Sequence, residues 1–149
     1  MPGLSVPAPR LYRWPVIVVG WALLLLAACT VPATLMPSPP AGAQALAPTG
    51  PHETRTDLQV ADLYARYGPH FGRLQSASYS LPADLAWADV EAHYDQALRG
   101  WKADARFPPR SGKLASRTWV KGRQVLVIEQ FDAGGTRVLV VGSNLGVRD

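Results

Sequence analysis

Three runs rich in valine, leucine and isoleucine follow one another near the C-terminal end of the sequence, "LASRTWVK", "QVLVIEQFD" and "RVLVVGSNL". Two glycine-containing pairs, residues 122–123 and 134–135, separate the runs, which is typical of two-residue hairpin turns. We predict an antiparallel meander with this register: Val120 opposite Val125, Trp119 opposite Leu126, Thr118 opposite Val127, Phe131 opposite Val138, and Asp132 opposite Arg137. A slip of one residue would place Trp119 opposite the polar Gln124, so the apolar pairing favours the chosen register.

Both faces of the predicted sheet are apolar in this register. One face carries Trp119, Leu126, Ile128, Leu139 and Val141, and the other carries Val120, Val125, Val127, Phe131, Val138 and Val140. A small antiparallel sheet usually exposes one face to water. Either two helices cover the opposite faces or one face is an interface, and we favour helices because large exposed apolar patches are uncommon on monomers.

Helical spacing of apolar residues predicts a first helix in "TDLQVADLYARYGP". Thr56 and Gln59 have the spacing of a capping box, while Gly68 and Pro69 are expected to end the helix. The segment "QSASYSLP" alternates and predicts a strand that ends at Pro82.

A second predicted helix lies in "DLAWADVEAHYDQALRGWK". Its apolar stripe consists of Trp87, Val90, Tyr94, Ala97, Leu98 and Trp101. Acidic residues lie in its first half and basic residues at its end, as the helix dipole favours, and Gly100 is the expected stop.

These elements predict an α+β fold for residues 55–149. The expected architecture is a small two-layer domain with an antiparallel sheet of about four strands, in the order strand, helix, three-strand meander, with an additional N-terminal helix. The pattern loosely resembles small exported bacterial proteins of unassigned function, and that resemblance implies no active site.

The N-terminal region has the layout of an export signal. Arg10 and Arg13 precede the uncharged segment "WPVIVVGWALLLL", and small residues follow it. The sequence Leu26-Ala27-Ala28-Cys29 resembles the lipobox of bacterial lipoproteins. The resemblance implies that a signal peptide, residues 1–28, is removed and that Cys29 and the new amino terminus carry acyl chains such as palmitate. Thr30 after the cysteine resembles outer-membrane cargo of bacteria that have two membranes.

Two alternatives to lipidation remain open. The uncharged region is long enough for an uncleaved membrane anchor, although its prolines interrupt a helix. The second alternative is a soluble secreted protein whose signal peptide is cleaved near Ala43 or Ala45. Each alternative places the domain outside the cytoplasm, at the bacterial cell envelope or periplasm. Residues 29–54 are rich in proline and alanine, and we expect them to form a disordered tether.

Positive charge is concentrated in residues 99–123, which contain eight basic residues and one acid. Lys102, Arg106, Arg110 and Lys113 lie in or beside a predicted loop and are the candidate anion-binding residues. The expected partners are the membrane, through the lipid anchor, anionic lipids or phosphate-bearing envelope polymers, and a possible protein partner; export argues against intracellular nucleic acid. The alternative is a solvated loop balanced by the acids of the second helix.

No sequence motif predicts catalysis. Asp89 and His93 are spaced one helical turn apart, but no third ligand is placed to complete a metal site. We therefore predict no catalytic residues, no cofactor, no metal and no enzymatic activity. The leading hypothesis is a membrane-tethered envelope accessory or binding protein. The alternatives are a structural or assembly partner that oligomerises through an apolar sheet face, and a hydrolase whose site has no recognisable motif.

Overall fold

The computed structural model describes residues 35–47 and 49–146, so the predicted signal peptide and Cys29 lie outside the described residues. Two helices occur in this part of the chain, α1 (Glu53–Phe71) and α2 (Trp87–Ala97). The described strands are β1 (Gln44–Ala45), β2 (Gln75–Ser80), β3 (Lys102–Ala103), β4 (Leu114–Lys121), β5 (Gln124–Ala133) and β6 (Thr136–Ser143). They form one antiparallel sheet in the order β1-β2-β6-β5-β4-β3.

The predicted α+β class and the register of the meander are confirmed. Trp119 pairs with Leu126 across β4 and β5, and Phe131 pairs with Val138 across β5 and β6. Every pair of the predicted register is found, because the turn positions and the apolar pattern specify the same alignment.

The sheet has more strands than the four that the sequence predicts. The two additional strands, β1 and β3, are two residues long and lie at the edges of the sheet. A strand of two residues has no measurable alternation, so the hydrophobic pattern could not reveal either one.

The two helices cover opposite faces of the sheet, as the favoured explanation of its apolar faces predicts. We name the two cores by their helices. The α2-side core contains Val90, Tyr94 and Leu98 with Met36, Leu81, Trp119, Leu126, Ile128, Leu139 and Val141. The α1-side core contains Leu63 and Tyr67 with Leu74, Val125, Val127, Phe131, Ala133, Val138 and Val140. The prediction of two layers is therefore wrong: a sheet that is apolar on both faces needs cover on both, and helix, sheet and helix form three layers.

Helix α1 differs from its prediction at both ends. Thr56 lies inside the helix, where its hydroxyl donates to the carbonyl oxygen of His52 at 2.9 Å, and the amide of Gln59 bonds Glu129 instead of closing a capping box. Pro69 does not stop the helix, which continues to Phe71. Proline is tolerated there because it removes a single backbone hydrogen bond in the final turn.

Helix α2 agrees more closely with its prediction. Val90 and Tyr94 are fully buried, and Gly100, with a φ of 83°, follows the end of the helix as expected. Ala97 was assigned to the apolar stripe but is exposed, because the stripe shifts toward Leu98 where the helix ends.

Residues 35–47, which we name the strap, pack on the domain. Met36 is 7% exposed in the α2-side core, and its amide donates to the carbonyl oxygen of Gly146 at 2.9 Å. Strand β1 of the strap pairs with β2, and Leu46 then packs against the α1-side core. The prediction of a disordered tether over residues 29–54 is wrong for this part. The absence of charge lets a few apolar side chains bury there, and the ordered domain begins before residue 55.

Candidate anion-binding site

The structure brings together two of the four candidate anion-binding residues and leaves the other two apart. Arg106 and Arg110 lie in the connection between β3 and β4 and line one cavity of about 140 Å³. Lys102 lies on the edge strand β3, and Lys113 immediately precedes β4; both are exposed and neither lines this cavity.

The cavity lies between the second half of α1 and the β3–β4 connection. Its lining comprises Arg66, Tyr67, Arg106, Phe107, Pro108, Arg110 and Ser116. We call it the arginine cavity because three of these seven residues are arginines. Arg66 was missed by the sequence analysis, since it lies 33 residues before the basic segment in a helix of mixed charge.

An ion pair holds Arg106 in place. Both Oδ atoms of Asp104 accept hydrogen bonds from the Arg106 side chain, at 3.0 Å and 3.1 Å from Nε and 2.5 Å from Nη2. The Arg106 guanidinium lies 5.3 Å from the ring centroid of Phe71 and 5.6 Å from that of Phe107. Hydrogen bonding to Arg106 lowers the pKa of Asp104, so the pair stays charged at neutral pH.

Aromatic side chains attach the β3–β4 connection to α1. The ring of Phe107 lies 4.4 Å from that of Tyr67 and 5.4 Å from that of His70, between centroids. The Tyr67 hydroxyl is 2.9 Å from the hydroxyl of Thr118 on β4, and burial raises the pKa of Tyr67. These contacts give the cavity a largely preformed wall.

Glu129 lies next to the cavity on β5 and is fully buried. It accepts hydrogen bonds from Arg66 at 3.0 Å and from Gln59 at 2.6 Å. Arg66 also pairs with Asp62 one helical turn earlier. Burial raises the pKa of Glu129, and the hydrogen bond from Gln59 and the charge of Arg66 oppose that rise. Arg66 is thus held between two acids.

Arg110 differs from the other two arginines of the cavity. Its backbone is fixed by two hydrogen bonds to Ser116, at 3.0 Å and 3.1 Å, yet within residues 35–47 and 49–146 its guanidinium makes no salt bridge. The Nη1 atom of Arg106 likewise has no hydrogen-bond acceptor in the described part of the chain. Guanidinium donors therefore remain available for an anionic group.

A second cavity, of about 340 Å³, adjoins the first and shares Arg106. His70, Phe71 and Arg123 are among its lining residues, so it extends from the end of α1 to the β4–β5 turn.

The acids of α2 balance little of the basic segment. Arg117 is bound by Glu91 at 3.4 Å and by Asp95 at 3.3 Å, and Asp95 also accepts a hydrogen bond from the Trp119 indole at 2.8 Å. Among the described salt bridges these are the ones that join α2 to the basic segment, so the acids of α2 pair with Arg117 and with no other residue of that segment.

His93, one helical turn after Asp89, contacts the strap. The Nε2 atom of His93 lies 2.8 Å from the carbonyl oxygen of Ser38 in the strap. Within the described residues, no group of three or more histidine, cysteine or acidic side chains could hold a metal ion.

Neither described helix has the length and apolarity that crossing a bilayer requires. Comparisons of the chain with protein-family models, with curated proteins and with solved structures find no match.

Proposed function

We propose that this protein is a lipid-anchored protein of the bacterial cell envelope, attached through Cys29, whose extracytoplasmic domain binds a small anionic group. The domain acts as a binding or accessory module and performs no catalysis. The ligand carries a phosphate or carboxylate, as envelope polymers and lipid headgroups do.

The observation that carries this proposal is the convergence of Arg66, Arg106 and Arg110 on one cavity. The cavity volume of about 140 Å³ is below the range of about 300–1,000 Å³ that is usual for drug-sized ligands, so it suits a single anionic group of a larger molecule. Arg110 and Nη1 of Arg106 have donors to spare, whereas Asp62, Asp104 and Glu129 hold the remaining donors in a fixed orientation.

A titration with inorganic phosphate tests the anion site. The full chain, in nanodiscs of zwitterionic phosphatidylcholine, is titrated by calorimetry at low salt, with acetate in a parallel experiment. Arg110→Gln is expected to weaken phosphate binding by about ten- to a hundredfold, since a charge-assisted hydrogen bond contributes about 1.5–3 kcal/mol. Lys113→Gln is the matched control, because it removes the same charge three residues away without altering the cavity lining. Equal binding by the two variants would contradict the proposal.

Metabolic labelling with an alkyne fatty acid tests the anchor. The label is expected on the wild type and not on Cys29→Ser, because Cys29 is the single cysteine of the chain. Absence of the label from the wild type would refute lipidation and leave the anion site to be judged separately by the phosphate titration.

A further inference from the structure

One end of the sheet carries five exposed basic residues. The register places the end of β6 beside the first residues of β5 and β2, since Ser143 pairs with Leu126 and with Gln75. The β4–β5 turn lies at the same end, and so does β3, because Lys102 pairs with Val120. The side chain of Asn144 bonds the carbonyl oxygens of Arg123 and Phe71, which brings the end of α1 there as well.

We call this surface the basic end. It consists of residues 72–74, 98–102, 121–124 and 144–146, and its charged residues are Arg73, Arg99, Lys102, Lys121 and Arg123. All five are exposed, and these four segments contain no acid. Among the described residues, none of the five forms a salt bridge.

The opposite end of the sheet has a different charge. Three acids lie there, Glu53, Asp84 and Asp132, together with the bases Arg55, Lys113 and Arg137. Asp132 lies opposite Arg137 in the β5–β6 register. Of the two ends of the sheet, the basic end is therefore the one whose segments carry positive charge and no acid. The two ends are about 25 Å apart, from the eight residues of β4 at about 3.3 Å each.

The chain from the proposed lipid anchor enters the domain at the basic end. Leu35 bridges to Gly146, and Met36 bonds the same residue, three positions after the end of β6. Six Cα–Cα steps separate Cys29 from Leu35, which at full extension span about 20 Å. A lipid on Cys29 would thus hold the basic end, and not the opposite end, within about 20 Å of the bilayer.

We propose that the basic end docks on the anionic headgroups of the bilayer that holds the anchor, so that the domain stands on the membrane in a fixed orientation. This proposal rests on the lipid anchor of the proposed function. Negative headgroups attract exposed lysine and arginine within roughly one Debye length, about 8 Å at physiological salt, and the short chain supplies the proximity that this range requires. The arginine cavity shares no lining residue with the basic end.

The orientation can be measured by energy transfer in the full, lipidated chain. Because Cys29 is the only cysteine and is acylated, an introduced cysteine is the one free thiol available for a donor dye. Gln75→Cys places the dye at the basic end and Ala83→Cys places it at the opposite end, both at exposed positions. The acceptor is a headgroup-labelled lipid in vesicles of phosphatidylcholine, with or without phosphatidylglycerol.

Phosphatidylglycerol is expected to at least double the transfer from position 75 relative to position 83, and 0.5 M salt should abolish that increase. The double substitution Lys121→Gln and Arg123→Gln should also reduce the increase in transfer that phosphatidylglycerol causes. The control is the double substitution Arg55→Gln and Lys113→Gln, which removes the same charge elsewhere and should leave that increase unchanged.

Flotation of the protein with phosphatidylcholine vesicles reports the anchor independently of orientation. Protein that floats with the vesicles but gives equal transfer from both positions, or transfer that does not respond to phosphatidylglycerol, would overturn the docking proposal alone. Protein that does not float would overturn the anchor on which the proposal rests.

Discussion

Gly142 marks the point where α1 lies closest to the sheet. A Cβ atom added at this position would lie 2.6 Å and 2.9 Å from the two Cδ atoms of Leu63, and 3.0 Å from Cγ1 of Val127. Ordinary carbon contacts are about 3.5–4.0 Å, so the leucine would have to retreat by about 1 Å. Leu63 is fully buried, which leaves it no open space to move into. We therefore expect Gly142→Ala to lower the free energy of unfolding by about 1–3 kcal/mol, as overpacking does.

Gly68 provides a matched control with the opposite expected sign. It lies within α1, and a Cβ atom built there meets nothing within 4 Å. Alanine favours a helix over glycine by about 0.5–1 kcal/mol, so Gly68→Ala is expected to stabilise the protein by about that amount. The same chemical change at the two glycines should shift the melting temperature in opposite directions, by roughly 4 °C for each kcal/mol.

A double-mutant cycle tests whether the contact with Leu63 is the cause. Leu63→Ala alone should cost about 2–5 kcal/mol through the cavity that it leaves. Combined with Gly142→Ala it should cost less than the sum, with a coupling energy of about 0.5–3 kcal/mol, because the new methyl group occupies part of that cavity. Urea unfolding followed by tryptophan fluorescence provides all four free energies. Additive costs, or a Gly142→Ala variant as stable as the wild type, would refute this account of the packing.

Four further substitutions test the cores and the strap. The buried hydroxyl of Tyr94 has no hydrogen-bond partner in the described part of the chain, so Tyr94→Phe should leave stability unchanged or raise it by up to about 1–3 kcal/mol. Tyr67→Phe should instead lower stability by about 0.5–1.5 kcal/mol, because it removes the hydrogen bond to Thr118. Thermal melts that rank the two variants the other way would contradict this expectation. Burial raises the pKa of Glu129, so the folded state binds the Glu129 proton more tightly than the unfolded state does. Its contribution to wild-type stability therefore falls as pH rises from the ordinary pKa of a glutamate to the raised pKa. The stability of Glu129→Gln relative to wild type should increase across that pH interval, and a difference independent of pH would contradict this expectation. Met36→Ala should cost about 2–5 kcal/mol if the strap belongs to the core, and a melting temperature equal to that of the wild type would show that the strap contributes nothing.

The central part of the fold could be predicted because independent signals agree there. The glycine turns and the apolar pattern specify the same register for β4, β5 and β6, and the two apolar faces require two covering layers. The C-terminal end of α1 was less predictable. Pro69 removes one backbone hydrogen bond, but Phe71 packs against the α1-side core, and those contacts favour continuing the helix past the proline.

The remaining features depend on contacts between residues far apart in the sequence. Strand β1 exists because the strap meets the free edge of β2, about 35 residues later, and its own two residues carry no pattern. The arginine cavity likewise joins Arg66 to Arg110 across 44 positions. The basic segment contains two of its arginines, but nothing local in the sequence connects them to α1.

Strand β6 comes last among the described strands yet lies at the centre of the sheet, between β2 and β5. A chain that crosses a membrane with its N-terminus leading would deliver α1, β2 and α2 well before β6 emerges. Until then β2 has no long neighbour to pair with, and each core lacks the side chains that β6 contributes. In such a chain the sheet would close only after β6 had crossed, when Met36 of the strap could bond Gly146 just beyond that strand. That order would keep the earlier elements unfolded while they cross, and the arrival of β6 would then start folding.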